Sequence, residues 1–152
     1  MTPIPAQPVH GKILVIDDNP IIQRAIYFQF RDLGYKVLMS GDITGALTLV
    51  RAEKPDVILL DINFPNEYST TSEPRDGFWA TKWLRTMDEA KNTPVILIST
   101  ADPAEAEPRA LAVGAAAFLP KPLDKEKLLA AIQKAMGAKK PDSPSAPGLK
   151  MA

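Results

Sequence analysis

Carboxylates, a hydroxyl and one lysine follow four of the short apolar runs in this 152-residue chain. Asp17 and Asp18 follow the first run, Asp61 the third, Ser99 the fourth and Lys121 the fifth. Ligands of open parallel sheets bind beyond the carboxyl ends of the strands. If the runs are parallel strands, these side chains meet at one edge of the sheet and form a site.

The residue types at this edge predict phosphoryl chemistry with a divalent cation. Clustered carboxylates without His or Cys are the oxygen ligands that Mg²⁺ prefers. A lysine beside them pairs with a carboxylate at rest and with a phosphoryl group when one is present. Asp61, in the middle of the set, is a candidate nucleophile that would form an aspartyl phosphate.

The elements that must position these residues alternate along the chain. Five apolar runs have the length and composition of strands buried on both faces: Lys12–Ile16, Tyr35–Met39, Val57–Leu60, Val95–Ile98 and Ala115–Leu119. Amphipathic stretches between and after them predict five helices. The alternation indicates βαβ units and a parallel sheet with helices on both faces.

Capping residues predict where the helices begin. The expected N-caps are Asn19, Asp42, Asp76 and Asp124. The third helix is expected to run to about Glu89. The fourth contains Pro108, so we expect it to begin late, near Glu107, with Pro108 in its first turn.

Composition excludes several other kinds of site. The chain has no cysteine and a single histidine, His10, so disulfides, cysteine nucleophiles and polyhistidine zinc sites are not expected. Its 18 acidic and 18 basic residues balance, which gives no global field for nucleic acid or membrane. The apolar runs fall short of the ~20 residues that span a bilayer. With no secretory signal in view, a cytoplasmic location is expected.

Proline is concentrated at both ends of the chain. Six of the 15 prolines lie in the first eight and the last twelve residues, away from the apolar runs. We therefore expect disordered tails at 1–10 and 138–152, the latter also fitting a linker, around one folded domain at 11–137.

Four sequence blocks resemble the receiver domain of two-component response regulators. They are Ile13–Asn19, Pro55–Asp61, Pro94–Ala101, and Gly114-Ala115 followed by Phe118–Pro122. They stand in the family's order and spacing over nearly all of the folded part. The resemblance, to the single-domain chemotaxis-regulator type, implies a flavodoxin-like doubly wound five-stranded parallel sheet, strand order 2-1-3-4-5, with five helices.

The resemblance implies a role for each residue at the sheet edge. Asp61 would be the phospho-acceptor, and Lys121 would contact the phosphoryl group. Asp17 and Asp18 would hold Mg²⁺ together with Asp61, while Asn63 would add its backbone carbonyl.

The resemblance also implies a switch. Ser99 would be the switch hydroxyl and Phe118 the aromatic residue that turns inward when the hydroxyl moves toward the phosphate. A two-state surface change driven by a local charge event is the expected output. The Lys121-Pro122 peptide bond is expected to be cis, as in the family.

The implied function is signalling. A sensor histidine kinase or a histidine phosphotransfer protein would donate the phosphoryl group, and the altered surface would control a downstream target protein. The chain would catalyse only its own phosphoryl transfer and slow autodephosphorylation, without direct contact to nucleic acid or membrane. A phosphorylation-dependent homodimer stays open.

Two departures from the family pattern stand out. The loop after the third run carries about eight extra residues within 66–75, either as a lid over the site or as a tolerated surface insertion. The prolines of the fourth helix put the family's usual output surface in question.

Three other interpretations stay open. The chain could be a receiver fragment of a longer multidomain regulator or hybrid kinase. It could be a phosphorylation-independent interaction module on the same fold. A phosphatase of the haloacid-dehalogenase type also uses a strand-end Asp with Mg²⁺, but it needs a second Asp two residues on, where this chain has Asn63.

Overall fold

Five strands and five helices alternate through the chain. The computed structural model describes residues 10–62 and 76–138. The elements are β1 (Gly11–Ile16), α1 (Pro20–Arg31), β2 (Tyr35–Ser40), α2 (Ile43–Glu53), β3 (Val57–Asp61), α3 (Gly77–Arg85), β4 (Val95–Ser99), α4 (Pro103–Ala112), β5 (Ala117–Pro120) and α5 (Lys125–Ala138).

All neighbouring strands are parallel, and the sheet order is β2-β1-β3-β4-β5. The predicted α/β class and the strand order are thus confirmed. Because the order reverses beside β1, the carboxyl ends of β1 and β3 flank the crevice where ligands bind in such sheets. In register, Ile16 lies opposite Leu60, so the residues that follow β1 stand beside Asp61.

The strands are buried on both faces because helices cover each side of the sheet. Alternate strand residues face opposite ways. Ile13 and Val15 pack into a cluster with α1 and α5, whereas Leu14 and Ile16 pack into one with α2, α3 and α4. Every residue of β3 and β4 is buried, so the strand ends are held firmly in place.

Local capping explains how α1, α2 and α3 begin. The side chain of Asn19 accepts a hydrogen bond from the Ile21 N–H at 2.9 Å, with Pro20 as the first helical residue. Asp42 and Asp76 cap α2 and α3 in the same way. These N-cap predictions are confirmed, as is the cis Lys121-Pro122 bond.

The prediction for α4 was wrong. The helix begins at Pro103 rather than near Glu107, and Pro108 lies inside it. The Asp102 side chain accepts from the Ala104 N–H at 3.1 Å and caps the earlier start. Pro108 has no N–H and so removes one helical hydrogen bond to the carbonyl of Ala104, which is an exposed residue. Burial of the α4 residues Ala106 and Ala110 against the sheet outweighs that loss.

Two other boundaries differ from the sequence prediction by two residues or more, and several strand ends differ by one residue. Helix α3 ends at Arg85 rather than near Glu89. A guanidinium nitrogen of Arg85 donates to the carbonyls of Ala90 and Thr93, which ties the following turns to the start of β4. Strand β5 begins two residues later than expected, at Ala117.

The chain ends are described only in part. His10, which the sequence assigned to the tail, donates its N–H to the Gly34 carbonyl at 2.9 Å, and its ring lies 5.5 Å from that of Tyr35. Residues 1–9, the insertion at 66–75 and residues 139–152 lie outside the described residues.

No helix in the described ranges is long and apolar enough to cross a membrane.

Candidate functional site

Three carboxylates converge at the carboxyl ends of β1 and β3. Asp17, Asp18 and Asp61 each place one carboxylate oxygen within 4.8 Å of the others. Asp17 and Asp61 are buried, whereas Asp18 is exposed. The juxtaposition follows from the parallel pairing of β1 with β3, as the sequence predicted.

Lys121 completes the cluster from the end of β5. Its Nζ lies 3.3 Å from Asp61 Oδ2 and 3.5 Å from Asp17 Oδ2. The Lys121 N–H donates to the Ser99 carbonyl at 2.8 Å, which extends the pairing of β5 with β4. The lysine therefore reaches the carboxylates from a backbone held by the neighbouring strand.

Asp17 is fully buried and incompletely satisfied. Its Oδ1 accepts the Asn19 N–H at 2.9 Å. No described group donates a hydrogen bond to its Oδ2, which meets only the 3.5 Å ion pair with Lys121. Burial raises the pKa of Asp17 above its ordinary value. The bond from Asn19 opposes that shift, the charge of Asp61 adds to it, and Lys121 opposes it.

The donor set fits Mg²⁺. Three carboxylates with no nitrogen or sulfur ligand suit a hard cation that keeps several waters. The buried Oδ2 of Asp17 has an unused lone pair that such an ion would take up. A second positive charge would also relieve the repulsion between Asp17 and Asp61.

Ser99 is the last residue of β4, and Phe118 lies within β5. Ser99 is fully buried, and its hydroxyl accepts the Ala101 N–H at 2.9 Å. Phe118 is 6% exposed, packs into the core on the α4 side of the sheet, and is in register with Leu97. The aromatic ring thus occupies an inward position in this structure.

One contact at the site was not predicted from the sequence. The Gln23 Nε2 donates to the Asp17 carbonyl at 2.5 Å and so ties α1 to the end of β1. Its only signal in the sequence is a polar residue next to the apolar stripe of α1. Asn63, predicted to offer its backbone carbonyl, lies outside the described residues.

A parallel 2-1-3-4-5 sheet with an acidic cluster and a lysine at its carboxyl edge defines a flavodoxin-like phosphoryl-accepting class of domain. The family model for the response regulator receiver domain matches residues 13–133. The chain therefore belongs to the response regulator receiver domain family.

Individual relatives agree with this assignment. Protein PilH of Pseudomonas aeruginosa is 33% identical over 122 residues, which make up 80% of this chain and 94% of PilH. The structure of the chemotaxis response regulator CheY4 of Vibrio cholerae superposes with a TM-score of 0.70 at 30% identity, covering 82% of this chain and 98% of CheY4.

A further solved structure is a receiver domain with a metal bound. The receiver domain of the sensor histidine kinase PA1611 from Pseudomonas aeruginosa, with a magnesium ion in its active-site cleft, has a TM-score of 0.69 and 28% identity. The match covers 84% of this chain and 98% of that domain. Some curated relatives are longer: one Bacillus subtilis transcriptional regulatory protein is matched over 49% of its length.

Proposed function

We propose that Asp61 is the phospho-acceptor of this receiver domain. The observation that carries the proposal is its place at the end of the central strand β3, with Lys121 at 3.3 Å and two further carboxylates within 4.8 Å. Asp61 is 4% exposed, so its carboxylate is buried at the carboxyl edge of the sheet and does not belong to a mobile surface side chain.

The transfer is a displacement at phosphorus. A carboxylate oxygen of Asp61 forms the new P–O bond, while the P–N bond of a phosphohistidine breaks and its nitrogen keeps the electron pair. Lys121 gives up its ion pair with Asp61 and pairs with the phosphoryl oxygens instead. The ammonium therefore keeps a negatively charged partner when the new bond removes the charge of the carboxylate. The Lys121 side chain is 16% exposed, so its ammonium is largely shielded from solvent at the site.

Asp17, Asp18 and Asp61, with the Asn63 carbonyl, are the residues that would hold Mg²⁺. The ion supplies positive charge that screens the attacking carboxylate from the phosphoryl oxygens. Asp17, fixed through Asn19 and Gln23, is the rigid ligand of the set, and the exposed Asp18 is the adaptable one.

Ser99 and Phe118 are the proposed switch. Once phosphorylated, Asp61 presents oxygens that accept a hydrogen bond from the Ser99 hydroxyl, which then turns away from the Ala101 N–H. Movement of the segment after β4 would change the space around α4 and the Phe118 ring, and so the surface offered to a target protein. We assign the phosphodonor role to a histidine kinase or a phosphotransfer protein and place this exchange in the cytoplasm.

The test is direct phosphorylation by a small donor. Incubation with acetyl phosphate and Mg²⁺ should add one phosphoryl group to the wild-type chain, measured by intact mass. Addition of beryllofluoride with Mg²⁺ should change the NMR spectrum of the protein. Asp61→Ala and Asp61→Asn should show neither response. As a matched control, Asp88→Asn removes a carboxylate that is 93% exposed and should react as wild type. Absence of an adduct and of a beryllofluoride response in the wild type would refute the proposal and favour a phosphorylation-independent module.

A further inference from the structure

The first residue of α3 lies unusually close to the backbone of the candidate phospho-acceptor. A Cβ at Gly77 would stand 2.6 Å from the Ile62 Cα and 2.9 Å from the Asp61 carbonyl oxygen. Both of these are backbone atoms, so neither yields by a side-chain rotation. Only a residue without a side chain allows this approach.

Glycine is required at position 77 because a side chain would collide with neighbouring backbone atoms, and not because the backbone is left-handed. The glycines with left-handed backbone are Gly11, Gly34 and Gly114, among the residues that the structure describes, and Gly77 is not one of them. A side chain at 77 would therefore suit the helix but collide with the end of β3. The collision would involve the peptide group that joins Asp61 to Ile62.

Hydrogen bonds lock the same contact from both sides. The Gly77 N–H donates to the Ile62 carbonyl at 2.9 Å, and the Ile62 N–H donates to the Ile98 carbonyl at 2.9 Å. The buried Thr81 hydroxyl donates to the Gly77 carbonyl at 2.8 Å. The end of β3 is thus held between β4 and the start of α3, and we refer to the Ile62–Gly77 contact as the clasp.

We propose that Gly77 is a positioning residue for Asp61: by bringing the start of α3 against the Asp61–Ile62 backbone, it sets the place of the acceptor carboxylate relative to Lys121 and the other acidic residues. Residues 63–75, which include the insertion, connect Ile62 to Asp76 along the chain. The clasp joins the described residues on either side of this segment, so the site geometry that it sets does not depend on the length of the segment.

The size of the effect follows from the distances. Relief of a 2.6 Å contact to an ordinary 3.4 Å requires a shift of about 0.8 Å at Asp61 or at α3. The 3.3 Å pairing of Asp61 with Lys121 depends on that backbone. Misplacement of a reacting group by about 1 Å is enough to slow a reaction by one or two orders of magnitude.

The experiment compares two Gly→Ala variants at the same edge of the sheet. Gly41, after β2, has no left-handed backbone, and a Cβ there meets no atom within 4 Å. We expect Gly77→Ala to weaken Mg²⁺ affinity and to slow phosphorylation by acetyl phosphate, each by about tenfold or more. Gly41→Ala should stay within about twofold of wild type in both. Calorimetric Mg²⁺ titration and intact mass provide the readouts, at a temperature where melting curves show each variant folded.

The outcomes separate this inference from the proposed function on which it rests. Equal Mg²⁺ affinity and equal phosphorylation in folded Gly77→Ala and Gly41→Ala would overturn the clasp. A wild type that binds Mg²⁺ but takes no phosphoryl group would refute the function, while weaker Mg²⁺ binding by Gly77→Ala would still support the clasp. If Gly77→Ala does not fold, amide hydrogen exchange of the wild type decides: the Gly77 N–H should be protected like that of Ile62, and exchange as fast as an exposed loop amide would overturn the proposal.

Discussion

Neutralising Asp17 should stabilise the protein while it abolishes metal binding. Asp17→Asn keeps the shape and the oxygen that accepts from Asn19, but it removes a buried charge whose Oδ2 receives no hydrogen bond from the described residues. Because the pKa of Asp17 is raised in the folded state, the folded protein binds this proton more tightly than the unfolded chain does. Ionisation of Asp17 at neutral pH therefore costs stability, and the amide avoids that cost.

The magnitude follows from opposing contributions. At an effective dielectric constant of about 20, the 3.5 Å pairing with Lys121 contributes roughly 5 kcal/mol, and repulsion from Asp61, which has an oxygen within 4.8 Å of an Asp17 oxygen, removes at least roughly 3.5 kcal/mol. The pairing outweighs this repulsion by at most roughly 1.5 kcal/mol, and Asp18 adds further repulsion, so the burial of an incompletely bonded carboxylate, a cost of about 1–3 kcal/mol or more, decides the sign. We expect a gain of about 1 kcal/mol, or an increase in Tm of about 3–6 °C for a domain of this size.

The assay is thermal unfolding with EDTA and with Mg²⁺. In EDTA, Asp17→Asn should melt above wild type; in Mg²⁺, wild type should gain stability by mass action and the variant should not. Asp18→Asn provides a matched comparison: the residue is exposed, so this variant should lose the Mg²⁺ response with a smaller gain in EDTA. A Tm of Asp17→Asn below wild type in EDTA, or a preserved Mg²⁺ response, would refute the reasoning.

Two further predictions concern Lys121 and Pro108. Lys121→Met should slow phosphorylation by acetyl phosphate about 100-fold, because the charge beside Asp61 is lost. Mg²⁺ affinity, measured by calorimetry, should stay equal or tighten as a competing cation leaves; a wild-type rate would contradict the assigned role. Pro108→Ala should raise the free energy of unfolding, measured in urea, by about 1–2 kcal/mol, since an N–H again faces the Ala104 carbonyl. Pro103→Ala, at the first helical position where no such bond is lost, should be nearly neutral, and a destabilised Pro108→Ala would argue against a continuous α4.

The sequence by itself determined which residues meet at the site. Parallel strands bring their carboxyl ends to one edge, so recognising the runs before Asp61 and Lys121 was sufficient to place those side chains together. The starts of α1, α2 and α3 were equally readable, because an Asx residue satisfies the first free N–H groups through local bonds alone, whereas the start of α4 was not predicted correctly. These features depend on neighbours along the chain or on the period of the apolar residues.

Only the tertiary structure decided the rest, because the deciding contacts are distant in sequence. Pro108 is tolerated inside α4 since buried alanines hold that helix to the sheet, and α3 ends at Arg85 where its guanidinium meets the carbonyls of Ala90 and Thr93. Asp17 and Asp18 are adjacent and of the same type, yet Asp17 is buried and Asp18 is exposed. The sequence alone does not reveal this difference.

Gly77 is the clearest case of this division. The sequence shows a glycine after a helix cap, a position where many residues would serve. The fold brings that glycine to a distance from the Asp61–Ile62 backbone at which no side chain fits. The need for glycine therefore arises from the packing of α3 against β3, which no local pattern encodes.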